Sequence, residues 1–276
     1  MQKCTAERIA PCARKKFPRN QVMPAVYLVL GLPGSGRREV VLDLIENGMP
    51  EARNVTVYQS ADDAPKAGDP AAAQLAGLTG VTRVNYVFSA GNFALGSEAE
   101  TDGAPETIFF LADGWLSPID QLEAFPALLQ SRGWELARIL LVADCTRAAG
   151  NPPVEQWHEA CVHFADCVLM NRRDNPAANL WAQQFQRKIK AARFPCLFLL
   201  VKKGRVDNAL LVLFPEARRF SLVFDQIDPL DDLDLDEEDL PDDLLTLENK
   251  PDPYFERMPN GQRRKPVPDA ATFLPA

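Results

Sequence analysis

The sequence holds only two histidines, His158 and His163, in 276 residues. They stand five apart in a segment whose apolar positions Val154, Trp157, Cys161 and Phe164 mark the buried face of a helix. That spacing puts both histidines on the flanks of the face, in surface or boundary positions, and offers no histidine-based catalytic constellation. His158 and Cys161, one turn apart, are too small a set for a metal. Cysteine is also sparse. Its six positions, 4, 12, 145, 161, 167 and 196, have no paired metal-binding spacing, and none falls between Cys12 and Cys145. They read as reduced thiols of a cytoplasmic protein. No apolar stretch is long enough to cross a membrane, and no signal-peptide core follows Lys15 and Lys16, so no membrane partner is expected.

The charge is uneven. From Asp225 to Asp243 there are eleven acidic residues and no basic ones, interleaved with Leu230, Leu233, Leu235 and Leu240. Taking those eleven from the total of 38 leaves 27 acidic residues against 30 basic, so the net charge of −8 is a local property. The alternation of acid and leucine reads as a docking peptide for a protein partner, as a flap over the chain's own basic surface, or as a solubilising tail. The last stretch carries six prolines around Arg263-Arg264-Lys265 and reads as extended and irregular. No aromatic platform accompanies that basic patch, so there is no clear nucleic-acid signal. The expected organisation is a basic extension over 1–22, one domain over 23–225 and a disordered acidic, proline-rich tail over 226–276.

The most informative segment is Gly31-Leu32-Pro33-Gly34-Ser35-Gly36-Arg37-Arg38. It has the glycine skeleton of G-x-x-x-x-G-K-[ST], in which backbone N–H groups wrap phosphates, the Lys reaches the β and γ oxygens and the hydroxyl holds Mg²⁺. Here Arg37 takes the Lys position and Arg38 the hydroxyl position. A guanidinium still neutralises phosphate, but Arg38 cannot ligate a cation. The apolar run Ala25 to Leu30 leads into the loop, and Val40, Val41, Leu44 and Ile45 follow at helical spacing up to Asn47-Gly48. The bland reading is a strand-turn-helix corner.

Further along, Cys167 to Met170 reads as a buried strand ending in Asn171-Arg172-Arg173-Asp174. This matches N-K-x-D except for Arg172. In that motif the Asp accepts from the guanine ring N–H and exocyclic amine, the Asn addresses the opposite edge, and the Lys stem covers the base face. Arg172 can stack there as well. The bland reading is a polar loop with Asn175-Pro176 opening the next helix, whose core stripe is Trp181, Phe185 and Ile189. Two more strands end at acids: Thr107 to Leu111 before Asp113-Gly114, and Ile139 to Asp144.

With these four elements in order, roughly from Val26 to Asp174, the chain resembles the CobW/HypB/UreG class of P-loop GTPases, and the CobW type most closely. The resemblance implies an α/β fold of P-loop NTPase type, a mostly parallel sheet flanked by helices. It implies guanine-nucleotide binding, GTP or GDP, by Gly31, Gly34, Ser35, Gly36, Arg37, Arg38, Asn171, Arg172 and Asp174. The Glu of the family's E-[TS]-[TS]-G-x-x-x-P strand end falls on Leu111, which leaves Asp113 as its nearest substitute and Gly114 as the γ-phosphate contact. The family's G-C-x-C-C metal motif has no counterpart, so no thiolate metal site is expected, and Val84 to Gly96 reads as a plain strand and loop. The family's separate C-terminal domain is not expected either. After the helix bearing Trp181, the segments Cys196 to Val201, Ala209 to Phe214 and Phe220 to Phe224 read as strands, the last two as an edge hairpin kept soluble by Arg218 and Arg219. Val201-Lys202-Lys203 stands where related GTPases complete the guanine pocket.

Three functions fit this reading: a slow GTP hydrolase whose Mg²⁺ is held without the loop hydroxyl, a pseudo-GTPase in which two arginines replace the metal's charge, and an interaction protein that keeps the fold and works through its acidic segment.

Overall fold

Ala25–Leu30 is apolar at every position because both faces of the strand it forms are covered, as in the interior of a parallel sheet. The computed structural model describes residues 23–51, 54–65, 67–96, 105–224 and 252–274. In chain order it contains β1 (Ala25–Leu30), α1 (Arg37–Asp43), which runs on as a π-helical turn (Leu44–Gly48), β2 (Val55–Ser60), α2 (Pro70–Gly77), β3 (Val81–Ser89), β4 (Asn92–Leu95) and β5 (Thr107–Leu111). Then come α3 (Pro118–Arg132), β6 (Glu135–Asp144), α4 (Cys145–Ala148), α5 (Pro152–Val162), β7 (Cys167–Asn171) and α6 (Pro176–Ala191). The remainder is β8 (Leu197–Lys202), β9 (Arg205–Val206), α7 (Ala209–Leu213) and α8 (Ala270–Phe273).

Four helices start by one device. The side chains of Asp69, Ser117, Asn151 and Asn175 accept from backbone N–H groups of the first turn, and a proline follows each cap. The cap satisfies a donor that has no intrahelical partner, and the proline gives up an N–H that needed none.

The strands form one sheet in the order β4-β3-β2-β5-β1-β6-β7-β8-β9. Pairing is parallel from β3 to β8, with antiparallel β4 and β9 at the two edges. Successive residues of β1 face opposite cores. Val26, Leu28 and Leu30 pack with Phe125 of α3, Trp157 of α5 and Trp181 and Phe185 of α6. Tyr27 and Val29 pack with Val40 and Val41 of α1, Leu75 of α2 and Val212 of α7. Helices therefore cover both faces of a mostly parallel sheet, as the sequence implies.

Several local expectations are corrected. Val84 to Gly96 is not a strand and loop but the end of β3 and the whole of β4, joined at Ala90 and Gly91, both with positive φ, the geometry of a tight hairpin turn. Ala209 to Phe214 is helical, because the Asn208 side chain caps it through the Leu211 N–H at 3.0 Å, and Val212 and Leu213 turn into the core. Phe220 to Phe224 is irregular and makes no edge hairpin. Arg219 does not guard an edge but is buried beside Asp166, 3.3 Å away.

The histidines are not on flanks. His158 is wholly buried against Trp181 and Phe185 of α6, and His163 is buried against Tyr254. A second layer, α6 on one side and the C-terminal segment on the other, covers what α5 alone would expose. Cys145, Cys161, Cys167 and Cys196 are buried and unpaired. Burial pushes the thiols of Cys145 and Cys196 up to about 12 and that of Cys167 to about 11, so all three stay protonated.

The expected disordered tail over 226–276 needs revision across 252–274. That stretch is mostly irregular, yet Tyr254, Ala270 and Leu274 join the main core. Its entry is fixed by Asp252, whose carboxylate lies 2.8 Å from His163 Nε2 and accepts from Ser221 Oγ at 2.5 Å. Arg263 then pairs with Asp120 and Glu123 of α3. The basic extension over 1–22 and the acidic stretch 225–243 lie outside the described residues.

Candidate functional site

Because β1, β2, β5, β6 and β7 are parallel, their C-terminal ends open on one edge of the sheet, where an open α/β sheet holds its ligands. The loop of residues 31–36 occupies the middle of that edge. Gly34 (φ 72°) and Gly36 (φ 95°) adopt left-handed conformations that a side chain would strain. Two neighbours hold the loop. A Cβ on Gly114 would lie 2.7 Å from Pro33 N and 2.8 Å from Gly31 O, so the chain after β5 packs directly on the loop backbone. From the other side, Asn171 Nδ2 donates to Ser35 O at 2.8 Å. The Ser35 hydroxyl is buried and has no partner among the described residues.

Arg37 is buried, and its side chain turns under the loop. Nη1 donates to Ala112 O, and Nη2 pairs with the carboxylate of Asp63 just beyond β2. Arg38 donates to the Asp63 carbonyl and lies 3.8 Å from Asp69. Burial and the neighbouring Arg37 charge lower the pKa of Arg38 below the usual arginine value. Both arginines line a cavity of about 410 Å³ with Gly34, Gly36, Arg147, Arg172 and Asp63. Arg147 is held by its own bond to Pro33 O and by Asp144, 3.5 Å away.

A second cavity, about 550 Å³, adjoins it and is lined by Asn171, Arg172, Arg173, Asp174 and Val201 to Gly204. The two segments singled out for a base site thus face one another. Glu39 and Arg172 line both cavities. Arg172 sits at φ 53°, an unusual conformation for a side-chain-bearing residue, with its guanidinium 3.7 Å from Asp144 and 3.9 Å from Glu39. Asp174 is exposed at the cavity wall.

Asp113 and Gly114 part company. Asp113 accepts from Ser60 Oγ at 2.5 Å and from its own turn at Trp115 N–H, 2.8 Å, and lines neither cavity. Its carboxylate thus ties the turn after β5 to the end of β2. Gly114 N–H instead donates to Asp63 Oδ2 at 3.0 Å. Asp63, Asp69 and Arg147 are the site residues missed by sequence reasoning. Asp63 follows the strand Val55–Ser60 by three residues, but its pairing with Arg37 and Gly114 has no local signal.

Among the described residues no group of three or more His, Cys, Asp or Glu side chains is placed to hold a metal ion. At the position where a loop hydroxyl would bind Mg²⁺, Arg38 brings a cation. The donor set does not fit that metal.

A strand, a glycine loop and a helix stand at the centre of a doubly covered, mostly parallel sheet, and together they make an α/β domain whose candidate site lies at the C-terminal ends of its strands. No protein-family model matches the chain, and no curated protein does. Among solved structures, it is similar to the Zn(II)-bound YjiA GTPase from E. coli, with 14% identity and a TM-score of 0.43. A Zn(II)-bound triple mutant of the same GTPase has 18% identity and a TM-score of 0.42. In both cases the match covers 70% of this chain and 61% of the other, so the chain spans about three-fifths of those structures.

Proposed function

We propose that the chain binds a guanine nucleotide and uses it as a regulatory or structural ligand without turning it over, as a pseudo-GTPase resembling the CobW type. The observation that carries this reading is the junction of the two cavities. They share Glu39 and Arg172 as walls, and Asn171 bonds to the loop carbonyl between them. Phosphates fit the cavity of Arg38 and Arg147, and a base fits the other, with the Asp174 carboxylate accepting from the guanine edge and the Arg172 plane against the ring. The left-handed backbone at Arg172 fits a position held for a ligand, since such strain concentrates at binding sites.

Turnover has little support from the side chains. Asp113 is committed to Ser60 and Trp115, and Arg38 replaces the hydroxyl that would hold a metal. The guanidinium groups supply the charge a metal would bring. Guanosine nucleotides are expected to bind in preference to ATP, with affinity independent of Mg²⁺. Calorimetric titration with GDP, GTP and ATP, with and without Mg²⁺, tests this, and Asp174→Asn should move preference from guanine toward xanthine. Binding that needs Mg²⁺ would favour a slow hydrolase, and indifference to Asp174→Asn would remove the base assignment. No binding of any nucleotide would leave an interaction protein, with its partner sought on the acidic segment.

A further inference from the structure

The Asp63 carboxylate occupies an anion position. One oxygen, Oδ2, accepts both from Arg37 Nη2 and from the Gly114 N–H at 3.0 Å. Arg37 stands at the position whose side chain the loop motif aims at the outer phosphates, and Asp63 already neutralises it. Arg38 clamps the Asp63 carbonyl as well, so the whole residue is held in place from the loop side. The side chain is buried and also lines the cavity of about 410 Å³, so the carboxylate is part of the wall of that space.

We propose that the site selects nucleoside diphosphates over triphosphates, because Asp63 supplies from within the chain the anion that a third phosphate would otherwise be. This rests on the guanine-nucleotide reading and deepens it. A diphosphate fills the part of the cavity bounded by Arg38, Arg147 and the glycine turn, and leaves the Arg37–Asp63 pair intact. A triphosphate must either place its terminal group against a carboxylate or displace Asp63 from two donors, and a buried carboxylate displaced from its partners is strongly unfavourable.

The test is competitive titration of the full-length chain with GDP and GTP in the absence and presence of Mg²⁺, repeated on Asp63→Asn. The asparagine keeps an oxygen for the Gly114 N–H and for Arg37 but removes the charge. The wild-type protein should bind GDP at least about tenfold more tightly than GTP, and Asp63→Asn should close most of that gap by strengthening GTP. Equal wild-type affinities would overturn the selectivity without help from any variant, and would leave the guanine reading standing. Weaker GTP binding in Asp63→Asn would also overturn it, since Asp63 would then be a ligand-side group, for example through a cation. Failure of wild-type and variant to bind either nucleotide would remove the guanine reading itself and the selectivity with it.

Discussion

Asn171 donates from Nδ2 to the carbonyl of Ser35 at 2.8 Å, joining two loops 136 residues apart in sequence. The bond fixes the distance between the glycine loop after β1 and the polar loop after β7. Its Oδ1 is also occupied, by the Arg172 N–H at 2.8 Å, so one amide side chain sets the position of both loops. Replacing Asn171 with Ala leaves a buried carbonyl unpaired and should cost about 1–3 kcal/mol in urea unfolding. Nucleotide affinity should fall along with it.

Two glycines give opposite expectations. Gly114→Ala forces a methyl against the backbone of Pro33 and Gly31, which cannot move aside as a side chain could. We expect about 1–3 kcal/mol of destabilisation by overpacking. A Cβ on Gly77, at the end of α2, meets none of the described residues within 4 Å, so Gly77→Ala should be neutral or stabilise by about 0.5–1 kcal/mol. Parallel unfolding curves decide both.

His158 makes acid stability its signature. Burial drives its pKa down to about 3, with neighbouring Glu155 opposing weakly, and both ring nitrogens lack partners among the described residues. The folded state keeps it neutral while the unfolded chain protonates it near 6.5. Its contribution is complete above that pH and is lost progressively as the pH falls toward 3, by an amount on the order of 5 kcal/mol at most. His158→Met should flatten the melting temperature between pH 6.5 and 4 and hold or raise it at pH 7.

Asp252 titrates in a lower window. Burial alone would raise its pKa, but the hydrogen bonds from His163 and Ser221 outweigh that and hold it below the usual carboxylate value. The stabilisation is therefore present above about pH 4 and is lost as the pH drops through the lower folded value. Asp252→Asn should loosen residues 252–274 first, seen as faster hydrogen exchange confined to that segment.

Much of this architecture was legible because it is local. The strand Ala25–Leu30, the glycine turn, and the caps followed by proline each state their conformation within a few residues. The helix Ala209–Leu213 was misread because its apolar run is too short to show a period, and Asn208 as a cap was overlooked. The burial of His158 depends on α6, some twenty residues later, and no spacing within α5 reveals it. Asp63 was missed for the same reason. Its partners, Arg37 and Gly114, follow β1 and β5, 26 residues before it and 51 after it, and a single sequence does not pair them.

The bond between Ser221 and Asp252 changes the topology of everything between them. Ser221 and Asp252 are neighbours in space although 31 residues apart in sequence, so the chain between them closes a loop. Loop-closure entropy grows only with the logarithm of length, about 0.6 kcal/mol per doubling. The stability of the domain is thereby only weakly dependent on the length of that loop. The length of chain between the two feet can therefore change at little cost to folding.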